Sequence, residues 1–71
     1  MSTKVLSEIA GIVIKIEVPI GGSVSQDDTL LLIESMKMQI PVAAPSSGTL
    51  SRVYVTEGDI IAEGQLLAEL D

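Results

Sequence analysis

An internal repeat limits the fold of this chain of 71 residues more than any other feature. A shift of 37 residues aligns residues 5–34 with residues 42–71 without a gap. Two of the five identical pairs are glycines, Gly11 with Gly48 and Gly21 with Gly58, and glycine recurs where backbone geometry is restricted. The repeat therefore predicts two similar halves related by a pseudo-two-fold axis.

Both halves show the alternation that is typical of β-strands. Residues 12–18 place four aliphatic side chains on one predicted face and two charged ones on the other, the aliphatic set being Ile12, Ile14, Ile16 and Val18. Further predicted strands, separated by turn residues, are Leu30–Ile33, Leu50–Val55 and Leu66–Leu70. Because no window has a 3.6-residue period, we predict an all-β domain over residues 1–71, a flattened antiparallel barrel or sandwich of about eight strands.

Composition disfavours several classes of function. The chain has no cysteine and no histidine, which removes the thiolate nucleophile, the usual general base and the commonest metal ligands. The formal net charge of −6 disfavours binding to nucleic acid and to anionic membranes. No apolar run approaches the ~20 residues of a membrane span, and no signal-peptide core follows the N-terminus. We therefore expect a cytoplasmic protein that is not an autonomous enzyme.

Residues 35–41 connect the two halves, and Lys37 lies near the middle of this connection. If the halves pair symmetrically, the connection is a hairpin at one end of the molecule and the termini lie at the other. The segment from Ile33 to Ile40 contains no glycine, asparagine or proline, so propensity predicts no turn there. A tight hairpin would force ordinary residues into unfavourable backbone angles, and such strain is often found at functional sites.

The connection also carries a recognisable motif. Glu34-Ser35-Met36-Lys37-Met38 resembles the biotin-attachment motif of biotinyl domains, in which a lysine between two methionines is modified. The likeness covers residues 5–71 and includes Gly21, Val24 and Leu30 before the motif and Pro45, Gly48 and Glu57-Gly58-Asp59 after it. This resemblance to the biotin/lipoyl attachment family implies a barrel-sandwich hybrid, covalent biotin on Lys37, and a recognition environment of Met36, Met38 and Glu34.

The resemblance also implies a function. Biotinyl domains are not catalytic: a biotin protein ligase attaches biotin, which then shuttles a carboxyl group between a biotin carboxylase site and a carboxyltransferase or decarboxylase site. Tethering makes each transfer effectively intramolecular. No protruding insertion lies between Gly21 and Leu30, whereas the bacterial acetyl-CoA carboxylase carrier has one. We therefore expect a thumbless domain, similar to those of acyl-CoA and pyruvate carboxylases, as a stand-alone chain.

Two alternatives remain open. The first is a lipoyl carrier of a multienzyme complex, although its lysine usually follows aspartate and precedes alanine, unlike Lys37 between Met36 and Met38. The second is an unmodified β-sandwich adaptor or assembly module, in which Lys37 is an ordinary surface charge and the methionines fill the core. In one departure from the family, Asp27 replaces the usual glycine at the counterpart of Gly64, and we expect that turn to differ because aspartate tolerates left-handed angles less well.

Overall fold

The computed structural model describes residues 2–71, which form eight β-strands and no helix. The strands are β1 Thr3–Leu6, β2 Gly11–Ile16, β3 Ser23–Val24, β4 Thr29–Ser35, β5 Met38–Ala43, β6 Gly48–Val53, β7 Ile60–Ile61 and β8 Leu66–Leu70. All their pairings are antiparallel, and they build two four-stranded sheets. The predicted all-β fold is confirmed, and the part described includes no helix that could cross a membrane.

The two halves of the chain exchange strands between the two sheets. One sheet has the order β1-β8-β6-β3 and the other β5-β4-β2-β7. In each sheet the central pair comes from one half, and the edge strands come from the other half or, in the case of β5, run from the connection into that half. Neither half can therefore complete a sheet without the other.

The pseudo-two-fold relation extends to bulges and individual hydrogen bonds. β2 and β6 coincide under the 37-residue shift, and each has a bulge at the same place, Ile14 and Ser51. The Gly21 N–H donates to the Leu50 carbonyl at 2.7 Å, and the counterpart Gly58 N–H donates to the Val13 carbonyl at the same distance. The predicted similarity of the two halves is confirmed by the backbone itself.

The hydrophobic core consists of two clusters that the same symmetry exchanges. Val24, Leu30 and Leu50 belong to one cluster, and their counterparts Ile61, Leu67 and Val13 belong to the other. Val42 and Val53 are half-buried and pack against both clusters. The core is built from aliphatic side chains, which suit the pleated surface of a sheet.

The prediction that Ile12, near the start of β2, lies on the buried face of the strand was wrong. Val13 is buried, whereas Ile12 is 42% exposed. The bulge at Ile14 breaks the alternation, since β2 changes register against β4 between Val13 and Lys15. The strand predicted over Leu50–Val55 is likewise displaced: it is β6, which begins at Gly48 because Gly48 pairs with Val24 of β3.

The turn at Asp27 does not differ from its counterpart, contrary to expectation. The φ angles of Asp27 and Gly64 are 73° and 83°. The Asp27 N–H donates to the Ala44 carbonyl at 2.9 Å, and the Gly64 N–H donates to the equivalent Ser7 carbonyl at 2.7 Å. Aspartate is one of the few residues that enter the left-handed region, so the turn is preserved.

Two close backbone approaches, of β2 to β4 and of β6 to the residue after β8, explain why one glycine pair recurs. A Cβ atom on Gly11 would lie 2.5 Å from the Glu34 carbonyl oxygen, and one on Gly48 would lie 2.5 Å from that of Asp71. Each contact is with backbone, which cannot rotate away as a side chain can. A side chain at either position would force the backbone to shift, which favours glycine at both.

We expect Gly11→Ala to lower the free energy of unfolding by about 1–3 kcal/mol, the usual cost of forcing an extra carbon into packed structure. Urea unfolding of the two proteins measures the difference. Glu8→Ala, at an exposed position of the preceding loop, is the control and should change stability by less than about 0.5 kcal/mol. Equal urea midpoints for Gly11→Ala and the unsubstituted protein would contradict the steric argument.

Candidate functional site

The β4–β5 hairpin turns within two residues, Met36 and Lys37. Ser35 pairs with Met38, and pairing continues from there to Thr29 with Ala43. Met36 and Lys37 have φ angles of 52° and 66°. Two successive left-handed residues are typical of a type I′ hairpin turn, which favours Asn-Gly. The strain predicted for a tight hairpin is confirmed, and left-handed angles cost an ordinary residue about 1–2 kcal/mol each.

The body of the domain holds this strained turn in place. β4 is the longest strand, with seven residues, and lies between β5 and β2. Three of its side chains, Leu30, Leu31 and Ile33, are almost completely buried. Burial of a large aliphatic side chain contributes roughly 1.5–3 kcal/mol, so the packing of β4 outweighs the strain of the turn that it leads into.

The hairpin brings together all four residues singled out by the sequence. Lys37 is exposed at the turn, and Glu34 is exposed at the end of β4. Met36 and Met38 are 90% and 64% exposed, so neither methionine fills the core. These side chains form an apolar and charged tip whose exposure has no benefit for folding.

The charged side chains of the hairpin are not tied into ion pairs. Within residues 2–71, the one salt bridge joins Lys15 to Glu17 at 3.4 Å, on β2 and the loop after it. The Lys37 ammonium and the Glu34 carboxylate therefore face solvent without a charged partner in the described part of the chain. Lys37 is exposed, and its four-carbon stem carries the amine away from the backbone of the turn.

A shallow groove runs beside the hairpin. Its lining includes Ile12, Glu34, Met36, Lys37, Ile60 and Ile61. Ile12 and Ile60 are paired across β2 and β7, and Ile60 is 82% exposed. Neither residue was predicted to belong to the site, because alternation placed Ile12 on the apolar face of its strand and nothing in the sequence assigned a role to Ile60. The repeat could have indicated them, because the residues at the equivalent positions of the other half, Thr49 and Ser23, are polar.

The clearest electrostatic perturbation lies on the other sheet. The Tyr54 hydroxyl donates a hydrogen bond to the Glu69 carboxylate, which raises the pKa of Tyr54 and lowers the pKa of Glu69. Glu69 belongs to β8, and Tyr54 directly follows β6. This pair therefore does not form part of the hairpin site on β4 and β5.

Known proteins share both the sequence and the fold. Residues 1–70 match the Biotin_lipoyl family model, described as "Biotin-requiring enzyme". The biotinylated protein TB7.3 homolog of Mycobacterium leprae is 43% identical over 68 residues, which are 96% of each chain. Pyruvate carboxylase of Bacillus subtilis is 39% identical over 67 residues, which are 94% of this chain and 6% of the enzyme.

Solved structures agree with these relatives. The urea carboxylase of Kluyveromyces lactis contains a region that superposes on this chain with a TM-score of 0.96 at 28% identity. The superposition covers 100% of this chain and 6% of the carboxylase chain. This chain thus spans nearly all of the mycobacterial protein but a small part of each carboxylase. By sequence and by fold, it belongs to the biotin/lipoyl attachment family.

Proposed function

We propose that this chain is a biotin carrier and that Lys37 is the residue to which biotin is attached. The observation that carries the proposal is the strained two-residue turn, which holds an unpaired, exposed lysine beyond a rigid body. Family membership and the similarity to a biotinylated protein of nearly the same length support it. The exposed methionines on both sides of Lys37 provide a surface that a modifying enzyme can recognise.

The chemistry at Lys37 is the formation of an amide. A biotin protein ligase uses ATP to activate the biotin carboxylate. Nζ of Lys37, after losing one proton, attacks the activated carboxyl carbon, the bond to the phosphate-bearing leaving group breaks, and a second Nζ proton is released, so that the neutral amide replaces the ammonium. The formal net charge of the chain changes from −6 to −7. Attached biotin supplies the ability to accept and release a carboxyl group, and the protein supplies a long tether on a small rigid body. Tethering raises the effective concentration at each active site that the arm reaches.

The chain contributes no catalytic group to the transfer. Carboxylation and carboxyl transfer belong to partner subunits or domains, a biotin carboxylase and a carboxyltransferase or decarboxylase. The carboxylases among the relatives support such partners. An acidic carrier suits brief encounters steered by charge, because complementary charge raises association rates more than affinity. The cytoplasmic location remains a prediction.

Co-expression with a biotin protein ligase, followed by a streptavidin blot and intact mass measurement, tests the attachment site. We expect label on the natural sequence and none on Lys37→Arg, because the guanidinium does not form the amide. Lys15→Arg is the matched control, since Lys15 is also an exposed lysine, and it should keep full label.

Two outcomes would contradict this assignment. Label that survives Lys37→Arg would place biotin elsewhere, and absence of label on the natural sequence would remove the carrier function. A mass increase equal to that of lipoylation would instead identify the chain as a lipoyl carrier.

A substitution in the turn provides a second test, because it should raise the stability of the domain and lower its recognition by the ligase. Met36→Asn places a residue that accepts left-handed angles at φ 52°. We expect urea unfolding to show a gain of about 0.5–1 kcal/mol, because strain is relieved. The initial rate of biotinylation should fall, because an exposed apolar contact is lost. A variant that is less stable, or that is labelled as fast as the natural sequence, would contradict this account.

A further inference from the structure

Because the two halves share the same backbone, exposed residues at equivalent positions of the two halves can be compared directly. Ile12 and Ile60 lie beside the hairpin as a cross-strand pair, 42% and 82% exposed. Their counterparts Thr49 and Ser23 form the equivalent pair across β6 and β3, and they are also exposed. In the other half, the same two backbone positions are thus occupied by polar residues, and the strands still pair. Folding therefore does not require isoleucines beside Lys37.

The Ile12–Ile60 pair is continuous with the hairpin. Both side chains line the same groove as Met36 and Lys37. Glu34, the cross-strand partner of Ile12, also lines this groove. Asp59 precedes Ile60, but its carboxylate accepts a hydrogen bond from the Thr56 N–H at 2.9 Å within its own turn, so Glu34 is the carboxylate that lines the groove. The surface has an apolar centre with this carboxylate at its margin, and such a surface is complementary to a partner with an apolar centre and a basic group opposite Glu34.

We infer that Ile12 and Ile60 form the docking surface through which a biotin protein ligase binds the unmodified carrier. The inference rests on the proposed attachment of biotin at Lys37. Ile12 and Ile60 would be contacts outside the Met-Lys-Met motif, and the ligase surface that covers them would be apolar at its centre and basic at its margin.

The reach of the lysine side chain selects the ligase over the carboxylase partners. Before modification, Lys37 extends beyond the backbone by its four-carbon stem alone. The ligase must therefore come close to the base of the hairpin, where the Ile12–Ile60 groove lies. After modification, the arm is longer by the whole of biotin. An enzyme that acts at the far end of that arm reaches it without covering the groove.

Steady-state kinetics with purified ligase, ATP, biotin and the unmodified 71-residue chain test the inference. The double variant Ile12→Thr, Ile60→Ser copies the residues of the equivalent pair in the other half. We expect the KM for the carrier to rise at least about tenfold while kcat changes by less than about twofold, since removing central apolar contacts weakens binding more than chemistry. Urea unfolding should show little loss of stability, because Thr49 and Ser23 are tolerated at the equivalent positions.

Ile20→Ser is the matched control. Ile20 is 65% exposed but belongs to the loop between β2 and β3, and the next residue, Gly21, hydrogen-bonds to Leu50 of the other sheet. Its KM should stay within about twofold of the unsubstituted value, as for a residue outside the contact surface. A tenfold rise in this control would show a general loss of apolar surface and would overturn the assignment to one patch.

Ionic strength tests the basic margin of the partner. Added NaCl should raise the KM of the unsubstituted carrier, and Glu34→Gln should make that KM less sensitive to salt, because salt screens exposed charge pairs. A salt-independent KM for both proteins would contradict the basic margin inferred for the ligase surface.

The remaining outcomes distinguish the inference from the proposed function. An unchanged KM for the double variant, with label on Lys37 intact, overturns the docking surface and leaves the carrier function standing. Absence of label on the natural sequence overturns the carrier function itself. If the fully biotinylated double variant is carboxylated more slowly by a biotin carboxylase, the surface belongs to that enzyme. If ultracentrifugation detects self-association that the double variant lacks, it belongs to a second copy of the chain.

Discussion

Each sheet of this domain is completed by strands from both halves of the chain, and the rest of the structure depends on that exchange. β4 and β2 form the centre of one sheet between β5 and β7, while β8 and β6 form the centre of the other between β1 and β3. The central strands come close enough that Gly11 and Gly48 admit no side chain. Two similar halves thus become one cooperative body, since an isolated half would leave both sheets unfinished.

That body supports a turn which its own residues do not favour. Met36 and Lys37 adopt left-handed angles, and the cost is offset by the burial of β4 and its pairing on both sides. Local strain of this kind persists where the surrounding structure determines the conformation. Here its consequence is that a lysine projects from the end of a compact domain instead of lying flat along an edge strand.

The backbone is symmetric, but its exposed side chains are not. At equivalent positions, isoleucines lie beside the hairpin, and threonine and serine occupy the other half. The core clusters, in contrast, exchange aliphatic residue for aliphatic residue under the same shift, except at Ala44, whose counterpart is the buried Ser7. Stability accounts for the shared pattern in the core. The difference at the surface points to binding, because solvent-exposed apolar groups provide contact area for a partner.

Much of the fold and the centre of the site could be predicted from the sequence. The repeat predicted two like halves, the period of two predicted strands, and the position of Lys37 between the halves predicted an exposed hairpin. The buried face of β2 was not predictable from alternation, because the bulge at Ile14 is set by pairing with β4. By itself, the sequence determined that two similar units are joined through one lysine, since repetition and order are properties of the chain. Only the tertiary structure decided that Ile12 and Ile60 face solvent beside that lysine, because burial depends on which strands pair across the sheet.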